Sequence, residues 1–247
     1  MEQHKMIAVY GNSGSYKTTT AISLARAISS KDKSADIIIV GADATKPLLP
    51  VIAPFESKFT GSIGKTLSAV DFSEEIIFKN IYMATDKIGV LAYNIRENAN
   101  TYALVSQNRI DDLLVQLHRL ANYVIIDCTS DVSRDVLTAK AIINAEQKIE
   151  LLTCDLNGLV FDGSQEPILQ SEQYALHNVI RLLSLDNRFK QDKAVMTNAL
   201  GRISGEIPYC SKAAEYLNQG TLLSKGVDDR DYNETIKSIA ELLMKEE

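Results

Sequence analysis

Five short runs of apolar and β-branched residues, separated by stretches of helical periodicity, leave few folds open to this chain. The runs are MIAVY (6–10), DIIIV (36–40), YVIID (123–127), KIELLTC (148–154) and KAVMTN (193–198). Each is nearly continuous in apolar character. That pattern suits strands buried on both faces, as in a parallel sheet covered by helices. Two further runs, NIYMA (80–84) and IGVLAYN (88–94), predict a hairpin or strands near a sheet edge. Helices are predicted for KTTTAISLARAISS, SRDVLTAKAII, SEQYALHNVIRLLSL and YNETIKSIAELLM. NRIDDLLVQLHRLA also reads as a helix, with Ile110, Leu113, Leu114, Leu117 and Leu120 on one face. Strand–helix alternation along the whole length predicts an α/β fold: a doubly wound, mostly parallel sheet with helices on both faces. No linker, repeat or low-complexity tract interrupts it, so residues 1–247 are expected to form a single domain.

The turn after the first run carries the chemistry. VYGNSGSYKTTTAISLA (9–25) approaches the phosphate-loop pattern G-x-x-x-x-G-K-[ST]. Gly11, Lys17 and Thr18 match it, and Tyr16 stands where the second glycine belongs. In such a loop the backbone N–H groups of Gly11, Asn12, Ser13, Gly14, Ser15 and Tyr16 would cradle phosphate at the start of a helix. Lys17 would reach the terminal phosphates, Thr18 would place its hydroxyl on Mg²⁺, and Thr19 would contact the α-phosphate. A tyrosine at position 16 must accept a left-handed conformation, at about 1–2 kcal/mol, or reshape the loop. The plain alternative is a glycine-rich turn without a ligand. Downstream, Gly64-Lys65-Thr66 matches G-K-T more literally. There the first glycine would fall on Phe59 and no strand precedes it, so that segment reads as a turn opening a helix.

Bulk properties narrow the remaining classes. A net charge of −6 gives nucleic acid no general attraction. Cys128, Cys154 and Cys210 are far apart and odd in number, which points to buried thiols in a reducing, cytoplasmic setting. His4, His118 and His177 are too scattered for a metal cluster. No segment approaches the ~20 apolar residues of a membrane span, and the start MEQHKMIAVYG lacks a signal-peptide core. The C-terminal stretch puts Tyr232, Ile236, Ile239 and Leu243 on one face, but its acidic end favours packing over lipid. Arg188, Lys190 and Lys193 are interrupted by acidic residues, which favours a solvated loop over a DNA contact.

Taken in order, these segments resemble the ParA/MinD-like ATPases with a deviant Walker A loop, through almost the whole chain. That family's loop reads K-G-G-x-G-K-T-T. Aligned on Lys17, Thr18 and Thr19, its signature lysine falls on Asn12, its first two glycines on Ser13 and Gly14, and its last on Tyr16. In IIIVGADATKP, the family's D-x-D becomes Gly41 and Asp43. The resemblance implies that Asp43 positions the attacking water, and that Thr18, Asp43 and Asp127 serve Mg²⁺, with Asp127 closing the Walker B run YVIID. Late in the chain, VMTNALGRISGEIPYC resembles the nucleotide-base segment, which would make Asn198 the adenine reader and Pro208 part of the base pocket. The implied ligands are ATP and ADP with Mg²⁺. The implied partners are a second copy in a nucleotide-dependent homodimer and a protein of a positioning or assembly system, in partitioning, pilus or secretion assembly, or conjugation.

The departures set the expected activity. In the family the signature lysine reaches the partner's phosphates across the dimer. Asn12 carries no charge, so transition-state stabilisation and ATP-driven dimerisation should both weaken. Lys46 and Arg134 are the candidates to replace that cation. With Lys17, Thr18, Asp43 and Asp127 retained, the expectation is ATP binding with slow hydrolysis. Two alternatives stand beside it. One is a bacterial tyrosine autokinase, whose D-A-D-x-R-x-P segment GADATKP also resembles, although Tyr209, Tyr216 and Tyr232 are scattered. The other is a non-catalytic scaffold of the same fold.

Overall fold

The computed structural model describes residues 4–52, 58–98, 100–174, 179–186 and 192–245. Strand β1 (Lys5–Gly11) feeds helix α1 (Lys17–Lys31). After β2 (Ile37–Gly41), three short helices, α2 (Leu49–Ile52), α3 (Ile63–Ser68) and α4 (Glu74–Lys79), lead to β3 (Tyr82–Met83) and β4 (Ile88–Ala92). Helix α5 (Gln107–Leu120) precedes β5 (Tyr123–Asp127), α6 (Val136–Asn144) precedes β6 (Gln147–Thr153), and α7 (Leu156–Leu169) precedes β7 (Val179–Ser184). Helix α8 (Lys193–Leu200), β8 (Gly205–Ile207), α9 (Ser211–Asn218) and α10 (Arg230–Met244) follow.

The strands form one sheet in the order β3-β4-β2-β5-β1-β6-β7-β8. All neighbours are parallel except the edge pair β3–β4, which forms the hairpin expected from residues 80–94. Alternation along β1 explains the two-sided core. Ile7 and Val9 join the cluster with α1 and α10, while Met6, Ala8 and Tyr10 join the cluster with α5 and α6. Because β1 lies between β5 and β6, chain order reverses there. Register brings Val9 and Gly41 level with Asp127, and Gly11 level with Leu151. The C-terminal strand ends therefore converge at the switch point where α/β sheets take ligands.

The amphipathic face of α10 is covered. Tyr232, Ile236, Ile239 and Leu243 are buried, and the Tyr232 hydroxyl lies 2.9 Å from Ser23 Oγ of α1. Lys5 donates from Nζ to Leu243 O at 3.0 Å and to Lys245 O, a cation on the C-terminal end of α10. No helix among the described residues is long and apolar enough to cross a membrane.

Two expectations fail. Residues 179–184 are strand β7, where the sequence predicts a helix over 171–185, and 193–200 are helix α8, where KAVMTN predicts a strand. VIRLLS is short and leucine-rich, and such runs do not separate helix from strand by period. In α8 the Asp192 carboxylate caps Ala194 and Val195 N–H, and Met196 and Leu200, four apart, are the buried pair. Those two features outweigh the β-branched Val195 and Thr197. Helix α7 has no counterpart among the predicted elements. His177, Arg188 and Lys190 lie outside the described residues.

Candidate functional site

The loop 11–16 is braced by the ends of two neighbouring strands. Gly11 has φ 141°, and a Cβ there would lie 1.9 Å from Leu151 O of β6. Asn12 Nδ2 donates to Thr153 Oγ1 at 2.7 Å, and Asn12 Oδ1 accepts from Thr153 N–H at 2.9 Å. Ser15 donates from Oγ to Asn12 O at 2.8 Å, and Ser184 Oγ of β7 donates to Ser15 O at 2.7 Å. Gly14 takes a second left-handed position at φ 81°.

Tyr16 accepts the strained alternative. It sits at φ 64° and ψ 26°, left-handed, as the N-cap of α1. Its hydroxyl donates to Asp186 Oδ2 at 2.8 Å beyond the end of β7, and its ring lies 5.9 Å from that of Tyr209. The bond to a carboxylate, worth about 1.5–3 kcal/mol, offsets the left-handed conformation, which costs roughly 1–2 kcal/mol. Tyr16→Gly should therefore change stability by less than about 1 kcal/mol, whereas Tyr16→Ala, which keeps the strain and loses the bond, should cost about 2 kcal/mol. Urea denaturation of both variants checks this, and equal losses would refute it.

The side chain of Tyr16 makes no cap bond to α1. Every other helix of six residues or more is closed by its N-cap side chain: Ser62, Ser73, Ser106, Asp135, Asp155, Asp192, Cys210 and Asp229. The first turn of α1 thus keeps N–H donors and the positive end of the helix dipole for an anion. It opens onto a cavity of about 310 Å³, lined by the loop, Lys17, Thr18, Thr19, Asp43, Lys46, Asp127 and Ser130.

Lys17 Nζ donates to Gly11 O (3.1 Å), Asn12 O (2.9 Å) and Ser130 Oγ (2.8 Å). Burial pulls its ammonium below the ordinary lysine range, and the Asp127 carboxylate opposes the shift. Thr18 Oγ1 donates to Asp127 Oδ2 at 2.6 Å. Asp127 Oδ1 is buried without a hydrogen-bond partner among the described residues. Such an orphaned carboxylate oxygen beside a threonine hydroxyl suits a hard cation or its water. Together with the anion-seeking helix start, this donor set fits Mg²⁺ and a polyphosphate.

Burial pushes the Asp127 carboxyl up to about 6, against the Thr18 hydrogen bond and the Lys17 charge. The native state therefore holds its proton more tightly than the unfolded chain. Below pH ~4 both states are protonated and Asp127 imposes no penalty. The ionised form then lowers stability progressively up to pH ~6, by about 3 kcal/mol in order of magnitude. Asp127→Asn should remove this slope from the metal-free protein. Urea midpoints at pH 4 and pH 7 test it, and a wild-type-minus-variant difference independent of pH would overturn it.

The expected site residues divide. Gly11, Ser13, Gly14, Ser15, Tyr16, Lys17, Thr18, Thr19, Asp43 and Asp127 meet around the cavity or its loop. Asp43 Oδ1 accepts from Thr45 N–H (2.7 Å) and Lys46 N–H (3.0 Å), so it both caps a turn and faces the cavity. The Asn12 side chain is 3% exposed and turned into β6, outside the cavity lining, which leaves its backbone N–H for the loop. Asn198 is corrected. It lies exposed in α8, follows no strand, and does not line the cavity. Pro208 follows β8 and precedes Tyr209, outside the cavity lining. The Gly64-Lys65-Thr66 segment is helix α3, with Ser62 as its cap and Lys65 Nζ on Thr60 O. The sequence reading missed Ser130, Thr153, Ser184 and Asp186. Each stands at or just past the C-terminal end of a parallel strand, which is the signal that could have found it.

No family model matches the chain, and no curated protein matches it. Solved structures do. A ParA family ATPase from Chlorobium tepidum TLS is 14% identical, with 98% of this chain and 99% of that one covered at a TM-score of 0.79. The septum site-determining protein MinD of Pyrococcus horikoshii OT3, complexed with Mg-ADP, is 14% identical over 97% and 96%, with a TM-score of 0.72. The ATP complex of a Cyanothece McdA variant is 19% identical over 99% and 98%, with a TM-score of 0.70. The fold is that of the ParA/MinD ATPases.

Proposed function

We propose that this chain is an ATP-binding, slowly hydrolysing switch, one nucleotide-binding unit over 1–247 that acts as a positioning or assembly factor. The observation that carries it is the buried, orphaned Asp127 oxygen beside Thr18, facing Lys17 and the uncapped start of α1. In this reading the loop N–H groups and Lys17 hold the phosphates, Thr18 and Asp127 hold Mg²⁺, and Asp43 orients water. Bound Mg²⁺ supplies charge neutralisation of the phosphate oxygens. The structures of similar fold support the ligand class, since one holds Mg-ADP and another ATP. Jobs such as partitioning, pilus or secretion assembly, and conjugation suit such a switch in the cytoplasm.

Asn12, uncharged and folded inward, brings no cation to a second copy, so a nucleotide-dependent homodimer would be weak. The autokinase alternative wants exposed tyrosines near the C-terminus. Tyr232 is buried, and Tyr209 and Tyr216 are half-buried. Calorimetry with Mg-ATP, turnover and phosphotyrosine detection form the test. Expected are saturable binding, a kcat not above ~10⁻² s⁻¹ and no phosphotyrosine. Absence of binding at millimolar Mg-ATP would leave the scaffold alternative, and phosphotyrosine would leave the autokinase.

A further inference from the structure

We infer that Lys46 supplies the second cation of the phosphate site from within the same chain, in place of the charge missing at position 12. The inference rests on the ATP-binding reading above. Asn12 has no charge and its amide is engaged with Thr153, so the loop itself offers one cation, Lys17. Lys46 lines the same cavity. Its backbone is fixed there, because its N–H donates to Asp43 Oδ1 at 3.0 Å and Pro47 follows. Its ammonium has no hydrogen bond or ion pair among the described residues, whereas the Lys17 ammonium has three acceptors. Arg134, the other candidate, is exposed and does not line the cavity.

Charge balance explains why the second lysine belongs there. Asp43 and Asp127 also line the cavity. With Lys17 alone, ionised carboxylates would leave the lining net negative against an anionic ligand. With Lys46 the four charges cancel, and Mg²⁺ then turns the site attractive. Lys17 and Lys46 line the same cavity, so the two cations act on the same volume. In a phosphate loop that volume is where the lysine meets the terminal phosphates. Lys46 should accordingly favour triphosphate over diphosphate.

The experiment measures Kd for Mg-ATP and for ADP in the wild type, Lys46→Ala, Lys46→Arg and Arg134→Ala, with a thermal melt of each. Expected are a tenfold or greater loss of ATP affinity in Lys46→Ala, less than threefold loss for ADP, recovery in Lys46→Arg, and no change in Arg134→Ala. If the wild type binds ATP and Lys46→Ala binds it equally well, or loses ATP and ADP alike, the inference is wrong and the ATP-binding reading stands. A loss in Arg134→Ala without one in Lys46→Ala overturns it too. If the wild type binds neither nucleotide, both fall.

Discussion

Lys17→Ala is expected to raise the Kd for Mg-ATP by two orders of magnitude or more while the protein stays folded. In the free protein the ammonium already gathers Gly11 O, Asn12 O and Ser130 Oγ, two of them carbonyls of the loop itself. Phosphate oxygens would compete for the same donor. A hydrogen bond to a charged group is worth about 1.5–3 kcal/mol, and each 1.4 kcal/mol is tenfold in affinity, so two such bonds correspond to ~10² or more. Asp127 would also lose its nearest opposing charge, and its buried carboxyl would hold its proton to higher pH. Calorimetry at pH 7.5 beside a thermal melt separates lost binding from lost fold. A change below tenfold in a folded variant would remove Lys17 from the site.

Gly11→Ala should damage the fold itself, by at least about 3–4 kcal/mol. The added methyl would sit 1.9 Å from Leu151 O and 2.8 Å from Leu151 C. Leu151 is level with Gly11 in the β1–β6 ladder, so neither backbone can withdraw without breaking the pairing at the centre of the sheet. Gly14→Ala provides the comparison. Position 14 also has positive φ, but nothing lies within 4 Å of its added carbon, so only the left-handed cost of about 1 kcal/mol remains. Urea unfolding of the pair should show a gap of ~2 kcal/mol or more. Equal losses would mean that φ alone, and not the approach of β6, governs Gly11.

The central sheet was legible because its strands are buried on both faces, and burial writes itself as unbroken runs such as YVIID. The far edge was less so. Beyond β6, Val179 to Arg181 of β7 are only half-buried and β8 has three residues, so the apolar signal thins toward the segment expected to hold the base. The adenine role expected of Asn198 depends on its following a strand, and it lies in α8. The phosphate end was legible from local order alone: Asp127 closes β5, Asp43 follows β2, and Lys17 and Thr18 open the helix after β1. Contacts between distant segments were not. Nothing in residues 9–25 says that Asn12 belongs to Thr153 or Tyr16 to Asp186, since those pairs exist only once β6 has paired with β1 and β7 with β6.

Those same pairs give the turn at 11–16 its shape before any ligand arrives. Thr153, Ser184 and Asp186 hold it from outside, much as a mould holds a casting. The loop should accordingly keep its shape when nucleotide binds, its free N–H groups already in place. News of what is bound would then have to leave through the Asp43–Lys46 turn, which is held mainly by its own side chain.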